Sequence, residues 1–211
     1  MNLSELRLSY TKGGLIESEM DADPLGQFEL WMTQAISMDL IEPNAMTLAT
    51  CDESGQPSAR IVLLKMVDER GFVFYTNFES RKGRQIGANP RVALLFYWDV
   101  LERQVRVEGD VSKVSDEESD DYFVSRPVGH QLGAWASHQS SVVQGREELD
   151  ETLASMASRF ASSEVPRPTN WGGYLVTPKR IEFWQGRPNR MHDRIEYIRV
   201  DHRWSIRRLA P

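Results

Sequence analysis

The spacing of apolar residues divides the chain into helical and strand-like stretches. Leu25, Phe28, Trp31 and Ala35 recur at helical spacing; Asp23 can cap that helix, Pro24 suits its first position, and Pro43 limits it. From Ala45 the period shortens. Ala45–Thr50 and Ala59–Val67 read as strands joined by the turn Asp52-Glu53-Ser54-Gly55-Gln56-Pro57, and Asp68-Glu69-Arg70-Gly71 leads into a third at Phe72–Thr76. Ser80 can cap a short helix over Arg81–Ala88, stopped by Asn89-Pro90. Strands follow at Val92–Trp98 and Arg103–Val114.

Ser115 with Glu118 three residues later is a capping box for a helix through Tyr122, ending before Pro127. Leu149, Leu153, Met156 and Phe160 mark another amphipathic helix, and Ser162–Asn170 reads as a loop. Trp171–Val176, Arg180–Trp184, Ile195–Val200 and Trp204–Arg208 complete the strands. Eight or so short strands joined largely by hairpins, with helices inserted between groups, predict a mainly β (α+β) fold, an antiparallel barrel with peripheral helices. Strands and helices do not alternate regularly, which argues against a doubly wound sheet. Residues 1–20, with Gly13-Gly14 and weak periodicity, read as a loosely tethered arm, and residues 21–211 as one domain.

Composition adds boundaries. At 211 residues, with 40% hydrophobic and 27% charged residues, the chain can bury a core without a disulfide or metal staple. No apolar run is long enough for a membrane helix, the first residues lack a signal-peptide layout, and a single cysteine, Cys51, suits a reducing cytoplasm. The net charge of −6 argues against general nucleic-acid binding.

The basic residues are unevenly spread. Seven basic and three acidic residues lie between Pro57 and Arg91, and nine basic and four acidic between Lys179 and Arg208. Two basic segments in an acidic chain suit a small anionic ligand; solvated strand faces are the alternative.

Common catalytic signatures are absent: no Walker loop, GxGxxG, GxSxG or HExxH, and the histidines at 130, 138, 192 and 202 show no metal-ligand spacing. Three clusters remain. Arg60 and Lys65 lie five residues apart on one predicted strand and so face opposite sides of it. Ser80-Arg81-Lys82 sets two cations at a helix start, where the open N–H groups and the helix dipole favour a phosphate. Arg190-Met191-His192-Asp193-Arg194, near Phe183-Trp184-Gln185-Gly186, gathers planar donors beside an indole and suits a flat anion; a charged hairpin turn is the plainer reading.

With Tyr10–Leu15, Phe74–Asn77, Leu101–Gln104, Ser125-Arg126-Pro127, Gln139-Ser140-Ser141 and Trp171-Gly172-Gly173 added, these segments resemble the pyridoxine (pyridoxamine) 5′-phosphate oxidase family over nearly the whole chain. The resemblance implies an FMN-binding split β-barrel, a homodimer with FMN at the subunit interface. It implies oxidation of pyridoxamine 5′-phosphate or pyridoxine 5′-phosphate to pyridoxal 5′-phosphate, with O2 reduced to H2O2. Carried over by position, Arg60, Lys65, Tyr75, Thr76, Arg81, Lys82, Gln104, Gln139, Ser140, Trp184 and Arg194 would contact FMN. Lys65, Tyr122 and Arg126 would hold the substrate phosphate. Arg190 and His192 would act at the pyridine ring, His192 accepting or relaying a proton, and Arg7 and Tyr10 would belong to a covering arm. His130 stands where the family usually has a small hydroxyl residue; its imidazole can also donate to the phosphate but is larger. A same-fold oxidase acting on a phenazine precursor, and a non-catalytic FMN or pyridoxal-phosphate carrier, are the rival readings.

Overall fold

The computed structural model describes every residue except Asn2, Ser4, Leu6, Arg7, Leu8 and His202. Among these residues nine strands form one antiparallel sheet: β1 (Ala45–Cys51), β2 (Pro57–Leu63), β3 (Met66–Asp68), β4 (Gly71–Asn77), β5 (Arg91–Trp98), β6 (Arg103–Lys113), β7 (Trp171–Gln185), β8 (Asp193–Val200) and β9 (Arg203–Arg208). Five helices accompany it: α1 (Pro24–Ile36), α2 (Arg81–Ala88), α3 (Asp116–Ser125), α4 (Val128–Ala136) and α5 (Arg146–Arg159). The expected antiparallel barrel-like architecture is present.

Local chemistry starts the first three helices where the sequence places them. The Asp23 carboxylate accepts from the Leu25 amide with Pro24 at the first position, Ser80 accepts from the Gly83 amide, and Ser115 and Glu118 form a complete capping box. Helix α1 ends at Ile36, well before Pro43. Its buried face brings Phe28 against Phe72 and Phe96, each ring centre 4.9 Å away, and Trp31 against Phe183, closing the core inside the curled sheet.

Two strand readings change. The predicted strand Ala59–Val67 is two strands: β2 pairs with β1, whereas the Leu64 amide donates to Asn44 and the Lys65 amide to Val73 of β4. The chain changes partners there, so pleat alternation between Arg60 and Lys65 no longer applies. Conversely, Trp171–Val176 and Arg180–Trp184 are parts of one 15-residue strand, β7. Pro178 is accommodated because the β6–β7 register shifts between Glu108 and Gly109, a bulge that spares the missing N–H. A side chain at Gly109 would sit 2.2 Å from the Thr177 carbonyl oxygen, so the bulge requires glycine. Helix α4 was not expected, since Gly129 and Gly133 weaken its propensity and its cap, Pro127, makes no side-chain bond.

Strand β7 organises the sheet. One edge pairs with β6 throughout; the other pairs first with β4 (Trp171–Val176) and then with β8 (Arg180–Gln185). Its two ends are about 50 Å apart along the strand at 3.3 Å per residue.

Gly109→Ala should cost about 2 kcal/mol or more and lower Tm by several degrees, because the added methyl meets backbone. Gly87→Ala, in open space within α2, should be neutral or stabilise by about 0.5–1 kcal/mol. Thermal unfolding of the two variants checks the contrast.

Candidate active site

One constellation forms where β2, β4 and α2 meet. Arg60 donates to the Leu48 carbonyl (3.1 Å), the Thr50 hydroxyl (2.6 Å), Ser58 and Gln85. Lys82 Nζ donates to Gln139 Oε1 (2.7 Å) and Thr76 Oγ1 (3.2 Å), and the Thr76 hydroxyl also reaches Gln139 (3.2 Å). Every described hydrogen-bond partner of Arg60 and Lys82 is neutral. Burial, followed by repulsion from Arg60, pushes Lys82 down to about 8, and burial, followed by Arg81, lowers Arg60. Arg81 occupies the exposed first turn of α2, and Ser140 follows Gln139 in a left-handed conformation (φ 73°). Partly buried cations held only by neutral groups fit a phosphate.

A second constellation lies at the start of β7. The Tyr75 and Tyr122 rings stack 3.9 Å apart, and both lie nearly parallel to Trp171. A Cβ at Gly173 would meet the Tyr75 ring at 2.8 Å, so glycine opposite Tyr75 makes room for the stack. The Arg126 guanidinium lies 4.5 Å from the Trp171 ring centre, and its buried Nη1 has no partner among the described residues. Burial lowers Arg126 from its ordinary value. Gln131, absent from the sequence-based set, holds Arg126 from behind, its side-chain amide donating to the Arg126 carbonyl at 2.8 Å. His130 is exposed on the first turn of α4.

The third constellation lies at the far end of β7. The Trp184 ring is 4.7 Å from His192, and Tyr10 packs edge-on against both. The Arg187 amide donates to His192 Nδ1 at 3.1 Å. In the neutral ring this leaves the proton on Nε2, where His192 presents a donor. Asn189 and Arg190 are left-handed (φ 57° and 61°), a strained turn that presents Arg190 to solvent. Gln104, Trp184 and Arg194 lie directly opposite one another across β6, β7 and β8. Arg194, however, is held by buried Glu182 at 2.8 and 3.0 Å, which raises its pKa, and by the Ala210 carbonyl.

Within one chain Arg60 and the row of Gln104, Trp184 and Arg194 lie on opposite faces of the sheet. Register places Tyr97, Gln104, Trp184 and Arg194 in one row, and Leu95, Thr47 and Ile61 on the same sheet face. Arg60, next to Ile61, therefore points from the opposite face. Lys65 is exposed and lines a groove of about 580 Å³ with Phe28, Met32 and Leu64, and Arg190 is not part of that groove. A single pocket joining Lys65 and Arg190, which the sequence reading expected, is not formed by this groove within one chain. Ile61 and Tyr97, exposed by 62% and 55%, leave apolar surface on the outer face.

The profile described as pyridoxamine 5′-phosphate oxidase matches residues 32–184, and that of the pyridoxine 5′-phosphate oxidase C-terminal dimerisation region matches residues 171–211. The chain belongs to the pyridoxamine 5′-phosphate oxidase family. The pyridoxine/pyridoxamine 5′-phosphate oxidase of Rubrobacter xylanophilus is 59% identical over 210 residues, covering 100% of this chain and 97% of its own. That of Synechocystis is 55% identical over 211 residues, covering 100% and 99%. PhzG from Burkholderia lata, solved with tetrahydrophenazine-1-carboxylic acid, superposes with a TM-score of 0.88 at 29% identity, covering 93% of this chain and 98% of that one. An FMN-binding, oxidase-related protein of Nostoc punctiforme shares the fold, with a TM-score of 0.72 at 17% identity and coverage of 91% and 100%. Family membership points to FMN, and the dimerisation region to a homodimer. No described helix is long and apolar enough to cross a membrane.

The arm of this family member is more firmly held than its sequence suggested. Glu102 Oε2 accepts from the Thr11 and Lys12 amides at 2.8 and 3.0 Å, Asp193 from the Leu15 amide, and Arg187 and Arg208 donate to the Gly13 and Leu15 carbonyls. Arg7 lies outside the described residues. Glu102 belongs to a quoted motif, but only the folded chain gives it this role. Glu102→Ala should speed tryptic cleavage after Lys12 by about tenfold, whereas Glu102→Gln, which keeps an acceptor oxygen, should stay near wild type. Timed digestion followed by mass spectrometry measures both.

Proposed function

We propose that this chain is an FMN-dependent oxidase that converts pyridoxamine 5′-phosphate and pyridoxine 5′-phosphate to pyridoxal 5′-phosphate. The alcohol and O2 yield the aldehyde and H2O2; the amine also consumes water and releases ammonia. The observation that carries this reading is the pair of separate cationic sites facing neutral groups: Arg60 with Lys82, and Arg126 with its open Nη1. One fits the phosphate of a flavin nucleotide and the other that of a substrate.

When bound, FMN would supply a two-electron acceptor for oxidation at the substrate C4′, reoxidisable by O2. Arg60, Thr76, Arg81, Lys82, Gln139 and Ser140 hold the cofactor from the α2 side, with Lys65 between β2 and β3 and Tyr75 on β4. Gln104, Trp184 and Arg194 serve it from the opposite sheet face, so a complete site takes one set from each subunit. This face argument supports FMN at the dimer interface and explains the exposed Ile61 and Tyr97. Glu182 fixes Arg194 in one orientation.

Arg126, Tyr122 and Lys65 hold the substrate phosphate, with His130 at its edge. His192 donates from Nε2 to an electron-rich oxygen of the ring, and Arg190 balances its charge. Residues 1–20 act as an arm over the site, Tyr10 shielding Trp184 and His192, and residues 21–211 form one domain. The cytoplasm fits the lone Cys51 and the reaction.

A second reading, a phenazine-precursor oxidase, is favoured only by the likeness to PhzG. Adding pyridoxamine 5′-phosphate without air to the FMN-loaded protein should bleach the flavin bands, and air should then yield aldehyde and peroxide. Turnover of tetrahydrophenazine-1-carboxylic acid in place of the phosphorylated pyridine would overturn the assignment. Bound flavin that neither substrate bleaches would indicate a carrier.

Lys82 gives a pH test. Its lowered pKa of about 8 means that, above pH 8, anion binding must draw a proton onto the amine. The Kd for FMN should therefore rise by up to about tenfold per pH unit above 8 and level off below it. Lys82→Gln should bind more weakly but lose that slope. Flavin-fluorescence titration of apoprotein between pH 7 and 9.5 measures it.

A further inference from the structure

We propose that Trp171 is a positioning residue for phosphate recognition: its indole is the platform that holds the Arg126 guanidinium ready for the substrate phosphate. The inference rests on the assignment of Arg126 to that phosphate and adds the residue that sets its geometry.

The Arg126 backbone is fixed at both ends, its amide donating to the Phe123 carbonyl at 3.2 Å and its carbonyl accepting from Gln131 at 2.8 Å. Its side chain has no such tether. It lies over two aromatic rings, 4.5 Å from the Trp171 centre and 5.5 Å from that of Phe123, with Nη1 buried and unpartnered among the described residues. Three acids of α3 are engaged elsewhere, Asp116 and Asp120 by Arg167 and Glu118 by Arg70, and among the described residues no carboxylate, Glu117 and Asp121 included, pairs with Arg126. Attraction to the indole face therefore orients a cation that would otherwise turn toward water or toward a carboxylate.

Trp171 is suited to this work because it is buried, packed between rings and tethered by its backbone. It is 7% exposed, lies nearly parallel to Tyr75 and Tyr122, and meets Phe123 edge-on at 5.2 Å. Its amide donates to the Pro168 carbonyl at 3.0 Å, and its carbonyl accepts from Arg167 Nη1 at 2.8 Å. Arg167 thus does two things at once, drawing off the α3 acids and pinning the platform. A rigid ring beneath a buried guanidinium lessens the ordering that phosphate binding must otherwise impose.

The test uses FMN-loaded enzyme and two readouts that do not depend on the fraction of chains that fold. These are KM for pyridoxamine 5′-phosphate and Ki for inorganic phosphate, measured with kcat in wild type, Trp171→Phe, Trp171→Leu and Arg126→Gln. Indole attracts a cation better than benzene does, and leucine offers no ring face. The expected series is a rise in both constants of about threefold for Phe and about tenfold for Leu, with kcat within about threefold of wild type. Should Trp171→Leu fail to fold, the Phe variant decides alone. Constants within 1.5-fold of wild type in Trp171→Phe, alongside a rise of tenfold or more in Arg126→Gln, would overturn the platform and leave the Arg126 assignment intact. No rise in Arg126→Gln would overturn that assignment, and this inference with it. A loss of kcat alone would also overturn the inference, since it would place Trp171 in the chemistry.

Discussion

A single long strand sets the terms for this molecule. Because β7 runs for fifteen residues and changes its edge partner from β4 to β8 midway, it carries one cluster of candidate residues at its start and another at its end. The bulge at Gly109 lets that happen despite Pro178. Without it, β7 would break into the two shorter strands that its sequence suggests, and the far-end row of Gln104, Trp184 and Arg194 would lose its alignment. Pleating then completes the separation. Arg60 and the Gln104 row face opposite sides of one sheet, so no small ligand reaches both within a protomer. In the proposed function, the second copy to which the dimerisation region points brings the missing face.

Electrostatics distinguishes structural arginines from available ones. The C-terminal basic segment, which the sequence suggested was waiting for an anion, is largely neutralised from within. Arg180 and Arg207 pair with buried Glu196, Arg194 and Arg106 with buried Glu182, and Arg208 with Glu17 and Asp193. The Pro57–Arg91 segment contrasts with it, because Arg60 and Lys82 contact only neutral acceptors. Burying cations beside one another is unfavourable, and the lowered values of Arg60 and Lys82 express that cost. In the proposed function, an arriving phosphate relieves it, and binding there depends on pH.

Backbone strain follows the same map. Six described non-glycine residues have positive φ, and four of them (Glu102, Ser140, Asn189 and Arg190) fall in the candidate-site segments. Left-handed backbone costs such residues about 1–2 kcal/mol each, and it is kept where it aims a side chain. Glu102 turns its carboxylate to the arm, and Arg190 stands clear of the turn after β7. The arm is consequently clamped to the sheet by carboxylates and arginines from distant strands, where glycine-rich sequence alone suggested a loose tether.

Much of this was legible in the chain. Asp23-Pro24, Ser80 and the Ser115–Glu118 box set helix starts because capping is local chemistry, complete within a few residues. Alternating apolar positions gave most strands, and motifs quoted across the chain gave the family. Other features depended on partners far away in sequence. The split of Ala59–Val67 arises from Asn44 and Val73, the fusion of β7 from Gly109, and the donor tautomer of His192 from the Arg187 amide. The Trp171 platform needs Tyr75, Tyr122 and Arg126 together, and the faces of Arg60 and Trp184 follow from register across five strands. The sequence by itself determined which residue types and which local turns were available. Which cations found carboxylates and which kept neutral partners was settled by the fold, because that depends on what the sheet brings within hydrogen-bond distance.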